Sequence, residues 1–412
     1  MQKPIKKILN LIMFFQLFTA GAFNPIQSLY FTQHLGFSGT QTGLILSFAV
    51  VSAILAPLLS SLVVDRILSA RRLLMVLHGV SAGAGVFFSF QDNFILVLLS
   101  YFIFMITQGP TVGLVNAVTF ANLPEPTKSF GGVRMFGTLG WMVAGWSFGL
   151  VGHLLSVLGG DASGTSVLLP WAFRIAALGS LLTLLFAAIL PGKPKPVSVP
   201  RSLKDMIPRE ALAVLGRPEI LLLMMVYFVS GISDRFYVFG AGPYLSMIGF
   251  SQAQISPILT IGQIAEVPAL FFLGRLLKRF GFRTVFSIGL IAQVARFAIF
   301  GYGTHPVLVF FAVGLNSLVF GFFYAGATVF IDSHTDIESR SSVHQLINLV
   351  FMGLGSLVGN TLAGVVSDLI PGTQKFGSTF WTVPFWGSVI LLTLTWVLVF
   401  PRIFRKPLQS SS

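Results

Sequence analysis

The sequence predicts an all-α membrane protein with twelve transmembrane helices arranged in two six-helix bundles. Hydrophobic residues make up 54% of the 412 residues and only 9% are charged. The mean hydropathy is +0.86. Long apolar runs recur along the whole chain, so no stretch remains for a large soluble domain.

About twelve apolar segments are long enough to cross a bilayer, because a hydrocarbon core of about 30 Å requires roughly 20 residues of helix. A helix also satisfies its backbone hydrogen bonds internally, as a membrane demands. Short polar breaks separate the predicted spans, which are residues 8–31, 41–63, 73–91, 94–120, 131–157, 169–190, 218–244, 253–274, 284–303, 306–331, 342–366 and 379–401.

The first span follows Lys3, Lys6 and Lys7 and runs to Ala20-Gly21-Ala22. This pattern also fits a cleaved signal peptide with a small-residue cleavage site. We expect the helix to be retained as a signal anchor, as is usual in a polytopic protein. The chain contains no cysteine, which excludes disulfides and thiol chemistry.

Basic residues concentrate in alternate loops, whereas the opposite loops hold only Lys375. By the positive-inside rule, both termini are predicted to be cytoplasmic. The net charge of +13 then indicates anionic membrane lipid as a partner, and it does not indicate nucleic acid.

A long loop rich in proline and lysine follows the sixth span. We therefore predict a first bundle at 1–190, a cytoplasmic linker at 191–217, and a second bundle with a short tail at 218–412. Matching turns support two halves, with Asp65-Arg66 after span two and Lys278-Arg279 after span eight. Generic positive-inside charge is the alternative interpretation of these turns.

Five ionisable side chains are predicted at membrane depth, where charge is costly and usually serves function. They are Arg134, Asp234, Arg235, Glu266 and Arg296. Arg296 is expected to bond neighbouring backbone carbonyls as a scaffold cation. The six histidines form no metal-like pattern, so packing or hydrogen bonding is expected of them.

The element around Arg134 combines a cation, a hydroxyl and a large ring. Helical steps of about 100° bring Arg134, Thr138 and Trp141 within roughly 60° on one face. Such a face suits a polar aromatic solute through hydrogen bonds and stacking. Alternatively, Arg134 extends to the cytoplasmic surface beside Lys128.

A second polar face carries Gln263 and Glu266, three residues apart. Pro268 follows and is a candidate kink toward a cavity. Glu266 lies in the apolar stretch 258–273, and a carboxyl group there suits proton exchange. A static pair with Arg134 or Arg296 is the alternative.

Span seven contributes Asp234 and Tyr237, also three residues apart, as candidate substrate contacts. Asp234 is also a candidate for carrying a proton. Its neighbour Arg235 points about 100° away along the helix. Simple charge compensation between these two neighbours is the alternative.

Several motifs occur in a fairly specific order and spacing. They are Gly36-Phe-Ser, Asp65-Arg-Ile-Leu-Ser-Ala-Arg71, Pro110-Thr-Val-Gly-Leu-Val-Asn116, Phe120-Ala-Asn-Leu-Pro124, Arg134-Met-Phe-Gly-Thr-Leu-Gly-Trp141, Gly262-Gln-Ile-Ala-Glu266 and Ala295-Arg-Phe. With them the chain resembles the nucleoside:proton symporter family of the major facilitator superfamily, across nearly all spans. Related aromatic-acid permeases share the Val-Arg-x-x-Gly-Ser/Thr element.

The resemblance implies that five positions line a nucleoside site, namely Arg134, Thr138, Trp141, Gln263 and Glu266. It also implies that Glu266 takes part in proton coupling. The chain departs from the family where polar amides align with Asp234 and Tyr237. An aspartate expected on helix ten falls on Gly321, eleven residues before Asp332. Asp234 is hypothesised to replace that aspartate.

The sequence therefore predicts a secondary active transporter that imports nucleosides with protons by alternating access. We expect a monomer without cofactors in the bacterial inner membrane. One alternative is a permease for a sugar or an aromatic acid, and another is a transport-dead membrane sensor. An enzyme is not predicted, because no nucleophile and base, metal cluster or phosphate loop emerges.

Overall fold

The computed structural model describes residues 2–48, 50–52, 54–55, 63–64, 67–158, 165–190, 216–303, 305–335, 340–372 and 375–404. The predicted Asp65-Arg66 turn lies outside the described residues. So do residues 191–215 of the predicted linker and much of the predicted span 41–63.

Six of the described helices lie between residue 2 and residue 189. Their bounds are α1 Gln2–Phe23, α2 Gly39–Leu46, α3 Ala70–Phe88, α4 Phe94–Asn122, α5 Pro126–Val157 and α6 Trp171–Ile189. Short helical turns also occur, namely Gln27–Leu29 and the π-helical Tyr30–His34 after α1, and Thr165–Leu168 before α6.

Side-chain caps explain where three of these helices begin. Ser38 accepts a hydrogen bond from the Gln41 amide at 3.1 Å at the start of α2. Ser69 caps α3 in the same way. Asn93 accepts from the Ile95 amide at 3.0 Å and so begins α4. Each cap satisfies an amide that would otherwise lack a partner at a helix start.

The later helices are longer and less regular. Their bounds are α7 Pro218–Met247, α8 252–280, α9 282–302, α10 Pro306–Ser333, α11 340–369 and α12 Ser378–Ile403. Between α8 and α9 stands Gly281, whose φ of +73° favours glycine. Three π-helical turns widen the last helices, at Val319–Tyr324, Leu349–Gly355 and Thr395–Val399.

Eight helical stretches of the described chain are long and apolar enough to cross a membrane. One of them, Gln252–Tyr302, contains both predicted spans 253–274 and 284–303. The predicted all-helical membrane class is confirmed. The eight stretches overlap the predicted spans other than 41–63, 73–91 and 342–366.

The chain divides into two compact units. The first comprises Met1–Met206 and Val238–Thr260, and the second comprises Ile207–Tyr237 and Ile261–Ser412. Helix α7 therefore contributes to both units. The predicted domain limits fall partly in residues that the structure does not describe, and they stay a prediction.

Glycines let α1 and α5 pack closely within the first unit. A Cβ added to Gly21 would lie 2.6 Å from the carbonyl oxygen of Trp141. A Cβ added to Gly140 would overlap the carbonyl group of Phe14. Small residues at such positions permit the close backbone approach that membrane helices use instead of hydrophobic association.

Polar side chains join four helices in the interior of the first unit. Gln16 of α1 donates to Thr111 of α4 at 2.8 Å and contacts Nε2 of His78 on α3 at 2.7 Å. Nearby, Gln108 of α4 donates to Ser81 at 2.6 Å. It also donates to Ser180 of α6 at 2.9 Å. The predicted hydrogen-bonding role of a histidine within a span holds for His78.

The second unit has a comparable network centred on Gln293 of α9. Its amide accepts from Ser230 of α7 at 2.6 Å and donates to Ser388 of α12 at 3.1 Å. Ser230 also contacts the hydroxyl of Tyr324 on α10 at 3.0 Å. Buried glutamines thus join the helices of each unit through hydrogen bonds.

Candidate functional site

Helix α5 positions the first predicted set of site residues. Gly137 and Gly140 are buried, whereas Arg134 is exposed and Thr138 and Trp141 are half-buried. A Cβ added to Gly137 would lie 2.9 Å from Nη1 of Arg134, so the guanidinium lies over this glycine. The glycines face the interior of the unit, and the three polar or aromatic side chains occupy the more accessible part of the helix surface.

Helix α8 positions the second set. Gln263 and Glu266 are both half-buried one helical turn apart. The backbone dihedral angles stay helical through Pro268, and the first departure after it is at Gly281. The candidate kink at Pro268 stays a prediction, because a proline can bend a helix whose backbone dihedral angles remain helical. Glu266 has an interaction partner, as does Arg134.

A contact with α10 holds the part of α8 around Gly262 in place. Ser317 donates a short hydrogen bond to the carbonyl oxygen of Gly262. A Cβ added to Gly262 would lie 3.3 Å from the carbonyl oxygen of Val313. Gln263 is the next residue, so its position follows from this backbone contact between α8 and α10.

Asp234 is buried in the second unit between two arginines. Both Nη atoms of Arg296 lie 3.2 Å from Oδ1 of Asp234. Nη2 of Arg235 lies 3.1 Å from Oδ2. Arg296 also donates a short hydrogen bond to Oδ1 of Asn316 on α10. Asp234 therefore takes part in two ion pairs. Charge compensation with its neighbour Arg235, the alternative considered from the sequence, accounts for one of them.

Arg296 does not have the surroundings that the sequence predicts. We expected it to bond backbone carbonyls, but its described hydrogen bonds go to the side chains of Asp234 and Asn316. Its side chain is 0% exposed. A fully buried arginine requires a carboxylate, because an unpaired buried charge is very costly. The partner could not be predicted, since the sequence does not say which helices are neighbours.

Tyr237 lies one turn after Asp234 and packs against the same arginine. The guanidinium carbon of Arg296 is 4.6 Å from the centre of the Tyr237 ring. The Tyr237 ring also meets the Phe300 ring edge-on, with 5.8 Å between the ring centres. Asp234, Tyr237 and Arg296 therefore form one buried cluster at α7 and α9, which we call the arginine cluster.

Gly321, where the family resemblance places an aspartate, is a tight packing position. A Cβ added there would lie 2.9 Å from the Cβ of Ala269 on α8. The residue lies within the π-helical turn Val319–Tyr324, which alters the faces that successive side chains occupy. In the described structure, a carboxylate that contacts Arg296 comes from Asp234 of α7.

A profile of the family described as Nucleoside H+ symporter matches residues 3–407. The chain belongs to the nucleoside H+ symporter family. The recognised resemblance is thereby confirmed. This family consists of transporters and not enzymes, as the sequence predicts.

Two relatives from Escherichia coli K12 match the chain over nearly its whole length. The "Putative nucleoside transporter YegT" is 29% identical over 406 residues, which cover 97% of this chain and 93% of the relative. The "Xanthosine permease" is 27% identical over 410 residues, with coverage of 94% and 93%.

A solved structure of the nucleoside transporter NupG has the same fold. Its TM-score is 0.82 at 22% sequence identity, and the alignment covers 98% of this chain and 100% of NupG. The predicted two-bundle fold of the major facilitator superfamily is confirmed by this similarity. The chain is a multi-pass membrane transporter.

Proposed function

We propose that this protein imports nucleosides together with protons by alternating access. The observation that carries the proposal is the match of the symporter family along residues 3–407. The polar residues that the sequence predicts for substrate lie on α5, α7 and α8, and each of these helices contains a stretch apolar enough to cross a membrane. Polar groups at membrane depth in a transporter usually mark the pathway of a substrate or an ion.

On α5, Trp141 stacks on the nucleobase, while Arg134 and Thr138 hydrogen-bond the base and the ribose. This assignment is supported by the accessible position of the three side chains relative to the buried glycines of the same helix. Indole rings bind bases through their flat faces, and guanidinium and hydroxyl groups supply directional donors.

For the second unit, we assign substrate hydrogen bonds to Gln263 and Tyr237 and the proton to Glu266. Glu266 is half-buried, so its carboxyl group is neither sealed in the interior nor fully in solvent. The sequence also predicts that Asp234 binds substrate and shares the proton. Its two ion pairs favour a different part for it, as a fixed counter-charge.

We further propose a monomer in the bacterial cytoplasmic membrane with both termini inside, contacting anionic lipid and no nucleic acid. A cavity of the first unit supports the lipid contact. Its lining includes Lys6, Lys7 and Asn10 of α1 and Asn122 of α4. Lysines at the membrane surface attract anionic headgroups.

Reconstituted transport tests the proposal directly. Purified protein in proteoliposomes should take up radiolabelled uridine or adenosine faster when an inward proton gradient is imposed. Unlabelled nucleosides should compete, whereas sugars and aromatic acids should not. If only a sugar or only an aromatic acid competed, the protein would be a permease for that class of solute. Folded protein that transports none of these solutes would overturn the proposal.

A further inference from the structure

The arginine cluster contains a buried cation that the predicted site does not use. Arg296 is 0% exposed at its side chain, and Asp234 is 12% exposed. Arg296 links three helices, because it belongs to α9 and contacts Asp234 on α7 and Asn316 on α10. The guanidinium group of Arg296 therefore joins these three helices.

The contacts of Asp234 leave little freedom for its carboxylate. Oδ1 faces both Nη atoms of Arg296 and Oδ2 faces Arg235. The Tyr237 ring lies beside the pair, 4.6 Å from the guanidinium carbon of Arg296. Both carboxylate oxygens therefore face a guanidinium group. Such an arrangement fits a carboxylate that remains charged better than one that carries a proton.

The geometry points to Arg296 as a positioning residue for transport, one that fixes the Asp234 carboxylate as its counter-charge and orients the Tyr237 ring for substrate. This inference rests on the proposed function of Tyr237 as a substrate contact. The ring lies 4.6 Å from the guanidinium carbon, a distance at which a cation is attracted to an aromatic face. Arg296 itself touches no substrate.

A set of three variants separates positioning from proton transfer. In Asp234→Asn, Arg296 is left buried without its counter-charge, and in Arg296→Gln the carboxylate of Asp234 loses its buried partner. Removing one member of a buried pair costs far more than removing both. Each single variant should therefore melt at a lower temperature than wild type, and the double variant Asp234→Asn with Arg296→Gln should melt at a higher temperature than either single variant.

Uptake kinetics supply the readout that a purely structural role would not change. Because the double variant lacks the cation over the Tyr237 ring, its KM for uridine should stay raised by about threefold or more, in keeping with a cation–π contact. The maximal rate, the pH profile and the proton-driven accumulation ratio should remain those of wild type. Arg296→Lys should retain part of the affinity.

Two outcomes would overturn the inference. Full recovery of KM in the double variant would reduce Arg296 to a structural residue. Loss of proton-driven accumulation in Asp234→Asn, with exchange retained, would make Asp234 a proton carrier. Wild-type protein is assayed first, because a lack of nucleoside uptake there refutes the proposed function and not the ion pair, which the melting temperatures still test.

Discussion

Gly321 of α10 lies directly against Ala269 of α8, so close that a single added carbon would come within 2.9 Å of the alanine Cβ. The family resemblance places a carboxylate at this position. The structure instead uses the position to bring α8 and α10 together. Since Glu266 lies one turn before Ala269, this contact also fixes the helix that carries the proposed proton site.

We expect Gly321→Ala to destabilise the protein by about 1–3 kcal/mol, the usual cost of overpacking a close contact. Gly321→Asp should be worse and should not improve proton coupling. Thermal unfolding in detergent measures the effect. The matched control is Gly314→Ala on the same helix, because a Cβ there meets nothing within 4 Å. Equal melting temperatures for Gly321→Ala and Gly314→Ala would refute the packing argument.

The contact between α1 and α5 gives a second prediction. A Cβ at Gly140 would overlap the carbonyl of Phe14, so Gly140→Ala must push the two helices apart. The shift would also displace Trp141, the next residue. We expect a lower melting temperature and a raised KM for nucleoside. Gly132→Ala serves as control because its added carbon has open space, and a similar loss in both variants would contradict the account.

The sequence predicts the local features of this protein and does not predict the contacts between its helices. Hydropathy locates the helices, because the membrane requires about 20 apolar residues in each. Helical spacing places Arg134, Thr138 and Trp141 on one surface, since that relation is local. The partners of Asp234 and Arg296 depend on which helices are neighbours, and hydropathy does not determine this. The packing role of Gly321 could not be predicted for the same reason, because its contact with Ala269 joins two helices.

The network around Gln293 makes a third prediction. Gln293→Leu removes the partner of Ser388, and a buried polar group without a hydrogen bond costs about 1–3 kcal/mol. We expect a clearly lowered melting temperature. Thr393→Val on α12 is the control, because this exposed hydroxyl bonds only its own helix at 2.9 Å in the described structure. Unfolding of both variants at the wild-type temperature would show that the network contributes no stability.

Stacking by Trp141 gives a fourth prediction. Base stacking on an aromatic side chain is worth about 1–3 kcal/mol, so Trp141→Ala should raise the KM for uridine about tenfold. Trp141→Phe should raise it less, because a smaller flat ring remains. Trp386 is 54% exposed on α12, and Trp386→Ala should leave KM unchanged. An unaltered KM in Trp141→Ala would remove this residue from the substrate site.

Glu266 is the residue proposed to couple nucleoside import to protons, and the variant Glu266→Gln tests this role most directly. The variant keeps the size of the side chain but can no longer carry a proton. Glu219→Gln, at the start of α7, is the control carboxylate and should behave as wild type. In proteoliposomes we predict that Glu266→Gln still exchanges uridine across the membrane but does not accumulate it under an inward proton gradient. Accumulation at the wild-type level by Glu266→Gln would contradict the account.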